Sequence, residues 1–303
     1  MLLAAHRALG TILLFLGVVA DAHTHFTQGI ALYDSRQHRA SAFSYGEDAG
    51  VLCHSFAARA LLLLGYPEQG LTQSHKAVTL AQQVAHPLSQ CHVLCSVAMF
   101  HQHRREARAA QDCAESAMRL ATDQGFPLWV AYSAILRCWA LAHQEQAQER
   151  IEQMHQSLRA FHATGGEILR PYFLALLAET HGTMGQPETG LTRLTEALAL
   201  MDLTGERWYE PELYRLKGAL LLQQHSAHQA EAEICFHQAL TIARNQQAKS
   251  FELRAATSLA RLWQQQGKRT TAYELLAPIY GWFTEGFDTA DLQEAKALVA
   301  ALA

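Results

Sequence analysis

The stretch TSLARLWQQQGKRTTAYELLA, residues 257–277, reads as two helices joined at a glycine. Leu259, Ala260 and Trp263 place apolar side chains on one face of a first helix, Gly267 ends it, and Ala272 lies early in a second. The same punctuation recurs along the chain at Gly17, Gly65, Arg105, Glu145, Gly185, Ala227 and Gly267, at intervals of 48, 40, 40, 40, 42 and 40 residues. A fixed period of this size marks a solenoid, in which each unit buries its apolar face only against its neighbours. Function is then expected on an extended surface and not in a closed catalytic pocket.

Within each unit the pattern matches the tetratricopeptide repeat, with Leu at position 7, a small residue at 8, small residues at 20 and 27, and an aromatic at 24. With each anchor set to position 15, the first unit has Leu9, Gly10, Ala22, Phe26 and Gly29, and the second Ala57, Ala58, Gly70 and Ala77. The third has Val97, Ala98, Ala110, Ala114 and Ala117, and the fifth Leu177, Ala178, Gly190, Leu194 and Ala197. The sixth has Ala219, Ala232, Phe236 and Ala239, while the fourth, with Cys138, Leu141, Met154 and Ser157, fits least well. Small residues are required where two helices approach closely, because a bulky replacement would overpack the contact. Pro67 and Pro187 fall in the turn inside a hairpin, and Pro87 and Pro127 fall between units. Only Pro278 falls inside a predicted second helix, which it should kink or end. HEAT and armadillo repeats share the period; the small residues and the turn glycine favour the tetratricopeptide reading.

The expected architecture is all-α, a right-handed superhelical solenoid of about seven hairpins. The units cover roughly 3–35, 50–86, 89–124, 127–164, 168–204, 208–247 and 250–284, and a capping helix covers 289–302 with Thr289 as its N-cap. Residues 35–50 read as a long connection between units. At the start, His6 and Arg7 followed by the thirteen apolar-rich residues 8–20 also resemble a weak secretory signal, too short to span a bilayer at about 20 residues. The repeat pattern explains the same residues as a first helix. That end lacks a polar cap, so something is expected to precede or cover it.

The charge balance, 24 basic against 28 acidic residues, gives no basic stripe for a phosphate backbone and disfavours nucleic-acid binding. The six cysteines lack zinc-site pairing and read as buried, reduced thiols of a cytoplasmic protein. In His23-x-His25 and His101-x-His103, helical residues two apart point in opposing directions, so neither pair can chelate one ion. Cys91 and Cys95 share a face and read as small packing residues. No metal, cofactor or membrane segment is expected, and no GxSxG, HExxH or GxGxxG occurs.

RALG at 7–10, GERWYEPELYRLKG at 205–218, KSFELRAATSLARLW at 249–263 and YGWFTEGFDTADL at 280–292 resemble the C-terminal tetratricopeptide region of large bacterial signalling proteins. In that family a class III adenylate or guanylate cyclase domain precedes an AAA-type signalling ATPase and then these repeats. The resemblance spans essentially the whole chain but transfers no catalytic residue, since no GxxxxGK loop followed by Ser or Thr is present. It implies a non-catalytic regulatory arm whose partner is a peptide or protein, including a cyclase or ATPase effector.

In such repeats positions 2, 5, 9 and 12 of the first helix line the concave surface. Position 2 is Tyr132, Tyr172 and Tyr214 in units four to six and Arg254 in the seventh; position 9 adds Trp139, Glu179 and Arg261, and position 5 adds Lys217. Aromatic and arginine side chains so placed suit a peptide or protein partner, because they bury large area at low entropy cost. The competing reading packs the tyrosines between helices, ring inside and hydroxyl at the surface. Trp208, Tyr209, Trp282 and Phe283 read as core between repeats. A small-molecule sensor is the alternative function, and a closed apolar pocket would favour it.

Overall fold

A computed structural model describes residues 1–36, 46–145 and 148–303. Among them are 15 α-helices, one 3₁₀ turn and no strand. Numbered here in chain order, the helices are α1 (Leu2–Phe15), α2 (Val19–Leu32), α3 (Ala49–Leu63), α4 (Pro67–Val84), α5 (Pro87–His103), α6 (Ala107–Asp123), α7 (Pro127–Glu145) and α8 (Glu149–Ala163). They continue with α9 (Arg170–Thr183), α10 (Pro187–Thr204), α11 (Glu210–Gln224), α12 (Gln229–Asn245), α13 (Lys249–Gln265), α14 (Arg269–Gly281) and α15 (Ala290–Leu302). Odd-numbered helices to α13 are the first, or A, helices of hairpins and even-numbered ones the second, or B, helices. No described helix is long and apolar enough to cross a membrane. Most of the 35–50 connection, residues 37–45, lies outside the described residues.

The chain divides into two compact units, one of Met1–Leu62 with Glu68–Glu167, the other of Leu63–Pro67 with Ile168–Ala303. Both use the same joints. Five anchors, Gly17, Gly65, Arg105, Gly185 and Gly267, adopt left-handed backbone with φ of 81°, 94°, 62°, 71° and 77°. At four of these joints the next amide reaches back five residues: Val18 to the Leu13 carbonyl at 2.8 Å, and Glu106, Gln186 and Lys268 to His101, His181 and Trp263 at 2.9 Å. This is the Schellman closure, which satisfies carbonyls left open at a helix end. A second left-handed series, which the sequence reading did not pick out, ends the B helices at Ala85, Gly125, Gly165, Gly205 and Gln247.

The small-residue positions are where the helices meet. At position 8, Ala58, Ala98, Ala178 and Ala260 are at most 3% exposed, and at positions 20 and 27 every alanine of the pattern is fully buried. A Cβ on Gly70 or on Gly190 would stand 2.9 Å from the carbonyl oxygen of Ala58 or Ala178, so backbone approaches backbone there. Proline opens α4, α5, α7 and α10, where its missing N–H costs no helical bond. Pro278 sits inside α14, which ends three residues later at Gly281.

The expected terminal helix is present as α15, burying Leu292, Ala295, Leu298 and Leu302. Its cap differs from expectation: the Thr289 hydroxyl donates to the Gly286 carbonyl at 2.7 Å and does not cap the helix. Residues 2–15 form the first A helix, with Gly10 tight against Phe26 of α2. Trp208, Tyr209 and Phe283 are buried as expected, but Trp282 is 38% exposed.

Candidate functional site

The A helices carry every residue expected to meet a partner. In the first unit, α7 holds Tyr132 and Trp139, only 4% and 2% exposed. Burial raises the Tyr132 phenol well above its usual range, against a smaller opposing effect of Arg59, which is hydrogen-bonded to it. Its hydroxyl also lies 3.8 Å from Met99 Sδ, and its ring packs against Trp129 and Phe161. Trp139 lies 4.4 Å, ring to ring, from His143, whose Nδ1 donates to the Trp139 carbonyl at 2.9 Å. Both are core residues.

In the second unit, Tyr172 on α9 is fully buried among Phe173, Trp208 and Tyr209, at ring separations of 5.3, 5.5 and 4.9 Å. Glu206 anchors the segment before α11: one oxygen accepts Trp208 Nε1–H at 2.7 Å and the other the Leu169 amide at 3.0 Å. The expected surface line of tyrosines is therefore corrected at Tyr132 and Tyr172, and Trp139 likewise offers no surface. Position 2 thus lies inside the helix layer on α7 and α9. Tyr214 and Lys217 are half-buried and face α12; Tyr214 packs on the α12–α15 core and Lys217 acts on Cys235.

Charge gathers instead two residues earlier on α11. Glu212, 1% exposed, accepts Arg215 Nε at 2.8 Å and Nη2 at 3.0 Å in a two-pronged pair. It also accepts Arg254 Nη1 of α13 at 3.2 Å, and Arg254 Nε reaches Asp291 of α15 at 2.7 Å. Burial disfavours a charged Glu212, yet Arg215 and Arg254 outweigh that and hold its carboxyl at about 2. The Arg254 guanidinium is correspondingly held charged by Asp291 and Glu212, against its own burial. Half-buried Glu179 on α9 adds negative potential at Arg215 and Tyr209. Arg261, more exposed, pairs with Glu294 of α15. Glu212, Arg215 and Asp291 were missed because they fall outside the template's surface positions; the Glu212/Arg215 spacing of three along a helix was the available signal.

His101 and His103 separate as expected: His101 Nδ1 meets Glu106 at 2.6 Å, whereas His103 Nδ1 donates to the Met99 carbonyl at 2.8 Å. Cys91 and Cys95 are fully buried.

No protein-family model matches the chain, and no curated protein matches it. Solved structures do. A Rap protein complexed with competence and sporulation factor aligns over 99% of this chain and 80% of its own length, at 15% identity and TM-score 0.64. A signal transduction ATPase with numerous domains from Pyrococcus horikoshii, which carries a tetratricopeptide repeat sensor, aligns over 99% of this chain but 44% of its own, at 12% identity and TM-score 0.53. Yeast Tom70 aligns over 93% of this chain and 60% of its own, at 14% identity and TM-score 0.54. The fold is tetratricopeptide-like. At these identities the likeness is one of architecture, and function has to be argued from the residues.

Proposed function

We propose that this chain is a non-catalytic, cytoplasmic regulatory module that binds an extended peptide or protein segment along its A helices. The observation that carries this reading is the charged line of the second unit. Successive helices α9, α11, α13 and α15 contribute Glu179, Glu212 with Arg215, Arg254, and Asp291. Fixed charges on rigid helices can orient a peptide, and the more accessible Glu179 and Arg261 of the same helices are the ones it would reach. The resemblance of residues 205–218, 249–263 and 280–292 to the repeats of cyclase and ATPase signalling proteins supports a role as the sensory arm of such a protein, with the effector as partner. A fold of this kind accompanies a bound factor in the Rap complex.

The test is selection from a displayed library of extended peptides on the full chain. Selected peptides are expected to lose at least about tenfold in affinity for the Glu179→Ala/Arg261→Ala chain, roughly 1.4 kcal/mol, while its melting transition is retained. No enrichment, or equal binding to both chains, rejects the reading.

A second reading, a small-molecule sensor, is the weaker one, because the groove of ≈590 Å³ in the first unit, lined by Phe126, Pro127, Val130, Ala131 and Ala134 among others, is open and not a closed pocket. It predicts a ligand-dependent rise in Tm without any peptide.

A further inference from the structure

Helical serines and threonines in this protein commonly donate their hydroxyl to a carbonyl four residues back. Ser133, Ser157, Thr180 and Thr257 do so at 2.7–2.8 Å. Ser55 on α3 and Ser96 on α5 do not. They are 5% and 8% exposed, and neither Oγ has a hydrogen-bond partner among the described residues. A buried hydroxyl in that state is costly, so each such atom calls for an account.

Both serines line one small cavity inside the first unit, among α3, α4 and α5. It has about 10 Å³ of room for the centre of a water-sized sphere, close to the minimum that a single water requires. Its other polar walls are Arg59, Ser74 and His103; five apolar residues complete it and no carboxylate lines it.

The chemistry of those walls selects the occupant. His103 donates its Nδ1 proton to the Met99 carbonyl, so in the neutral ring Nε2 is an acceptor. Arg59 brings only donors, and the serine hydroxyls can act either way. A halide would set negative charge against the Nε2 lone pair. A water can donate to the imidazole and accept from the guanidinium or a hydroxyl at once.

We propose that this cavity holds one tightly bound water, which bridges the Ser55 and Ser96 hydroxyls and ties α3 to α5. It is a structural ligand of the first unit, and it stands independently of any partner binding.

The first test is a crystal structure of the full chain at a resolution that shows ordered water, with and without a bromide soak. One peak within hydrogen-bonding distance of both Oγ atoms, and no bromide signal there, is expected. An empty cavity, or bromide in it, overturns the proposal. The second test is thermal unfolding of Ser55→Ala, Ser96→Ala and the double variant. If each serine holds the same water, each single change lowers Tm by about 2–6 °C, and the double change costs little more than the larger single one. Alanine is the better helix former, so idle hydroxyls would leave Tm unchanged or raise it. That outcome, or strictly additive losses, also overturns the proposal. If a variant fails to fold, the wild-type crystal structure decides alone.

Discussion

The A helices of the two units differ in how they hold buried charge. In the first unit the buried polar groups include Ser55, Ser96, His103, Tyr132 and the Arg59 guanidinium, which lies over Phe56 at 5.4 Å and bonds to a phenol. In the second unit, beside buried Thr180, His181 and Thr257, there is a chain of full charges, Arg215–Glu212–Arg254–Asp291. The hairpin joints and small-residue contacts are shared, so the contrast comes from a few side chains and not from the scaffold. It teaches that a repeat conserves its helix contacts while the polar layer is free to change character. An ionic layer holds only while every member keeps its charge.

The largest expected effect lies in that ionic layer. Arg254→Ala leaves Glu212 without one of its two guanidinium partners and Asp291 without this one, and should cost about 3–5 kcal/mol in urea unfolding. A loss below about 1 kcal/mol would remove the contrast. Next comes acid. Glu212 has its folded carboxyl near 2, against about 4.3 for an unperturbed glutamate. A depressed folded value means that its stabilisation is complete above the unfolded value and fades as pH falls from there toward 2. Glu47 and Glu106 of the first unit are also lowered, each mainly by the partners that outweigh its burial: His92 for Glu47, His101 and Arg104 for Glu106. Neither is as deeply buried as Glu212. Hydrogen exchange at pH 3 should therefore release α11 and α13 before α5 and α7, and Glu212→Gln should abolish the difference. Simultaneous release would break the comparison.

The smallest effect concerns the shared joints. Ala85 and Gln247 hold φ of 55° and 56° without being glycine. Ala85→Gly and Gln247→Gly should each stabilise by about 0.5–1 kcal/mol in denaturant titrations. Similar gains would sharpen the view that the scaffold is common to both units; a gain at one site only would count against it.

Much of the fold was legible because its constraints are local. A left-handed joint favours glycine, and a close helix contact admits only a small side chain, so Gly17, Gly65, Gly185, Gly267 and the alanines of positions 8, 20 and 27 announced themselves. The second series of joints was harder to see because Ala85 and Gln247 carry no such mark. The site was legible only in part. Position counting places Tyr132 and Tyr172 on the A helices correctly, but how deep a ring lies depends on how closely neighbouring helices pack, which is a property of the assembled layer.

The 40-residue spacing, by itself, determined an all-α chain of repeated hairpins, because turn chemistry and helix contacts are written in the residues that make them. The tertiary structure alone decided that Glu212, Arg215, Arg254 and Asp291 form one buried charged line, and that Ser55 and Ser96 face one cavity. Those groups lie up to 79 residues apart along the chain, and only packing α11, α13 and α15 together brings their charges within hydrogen-bonding distance.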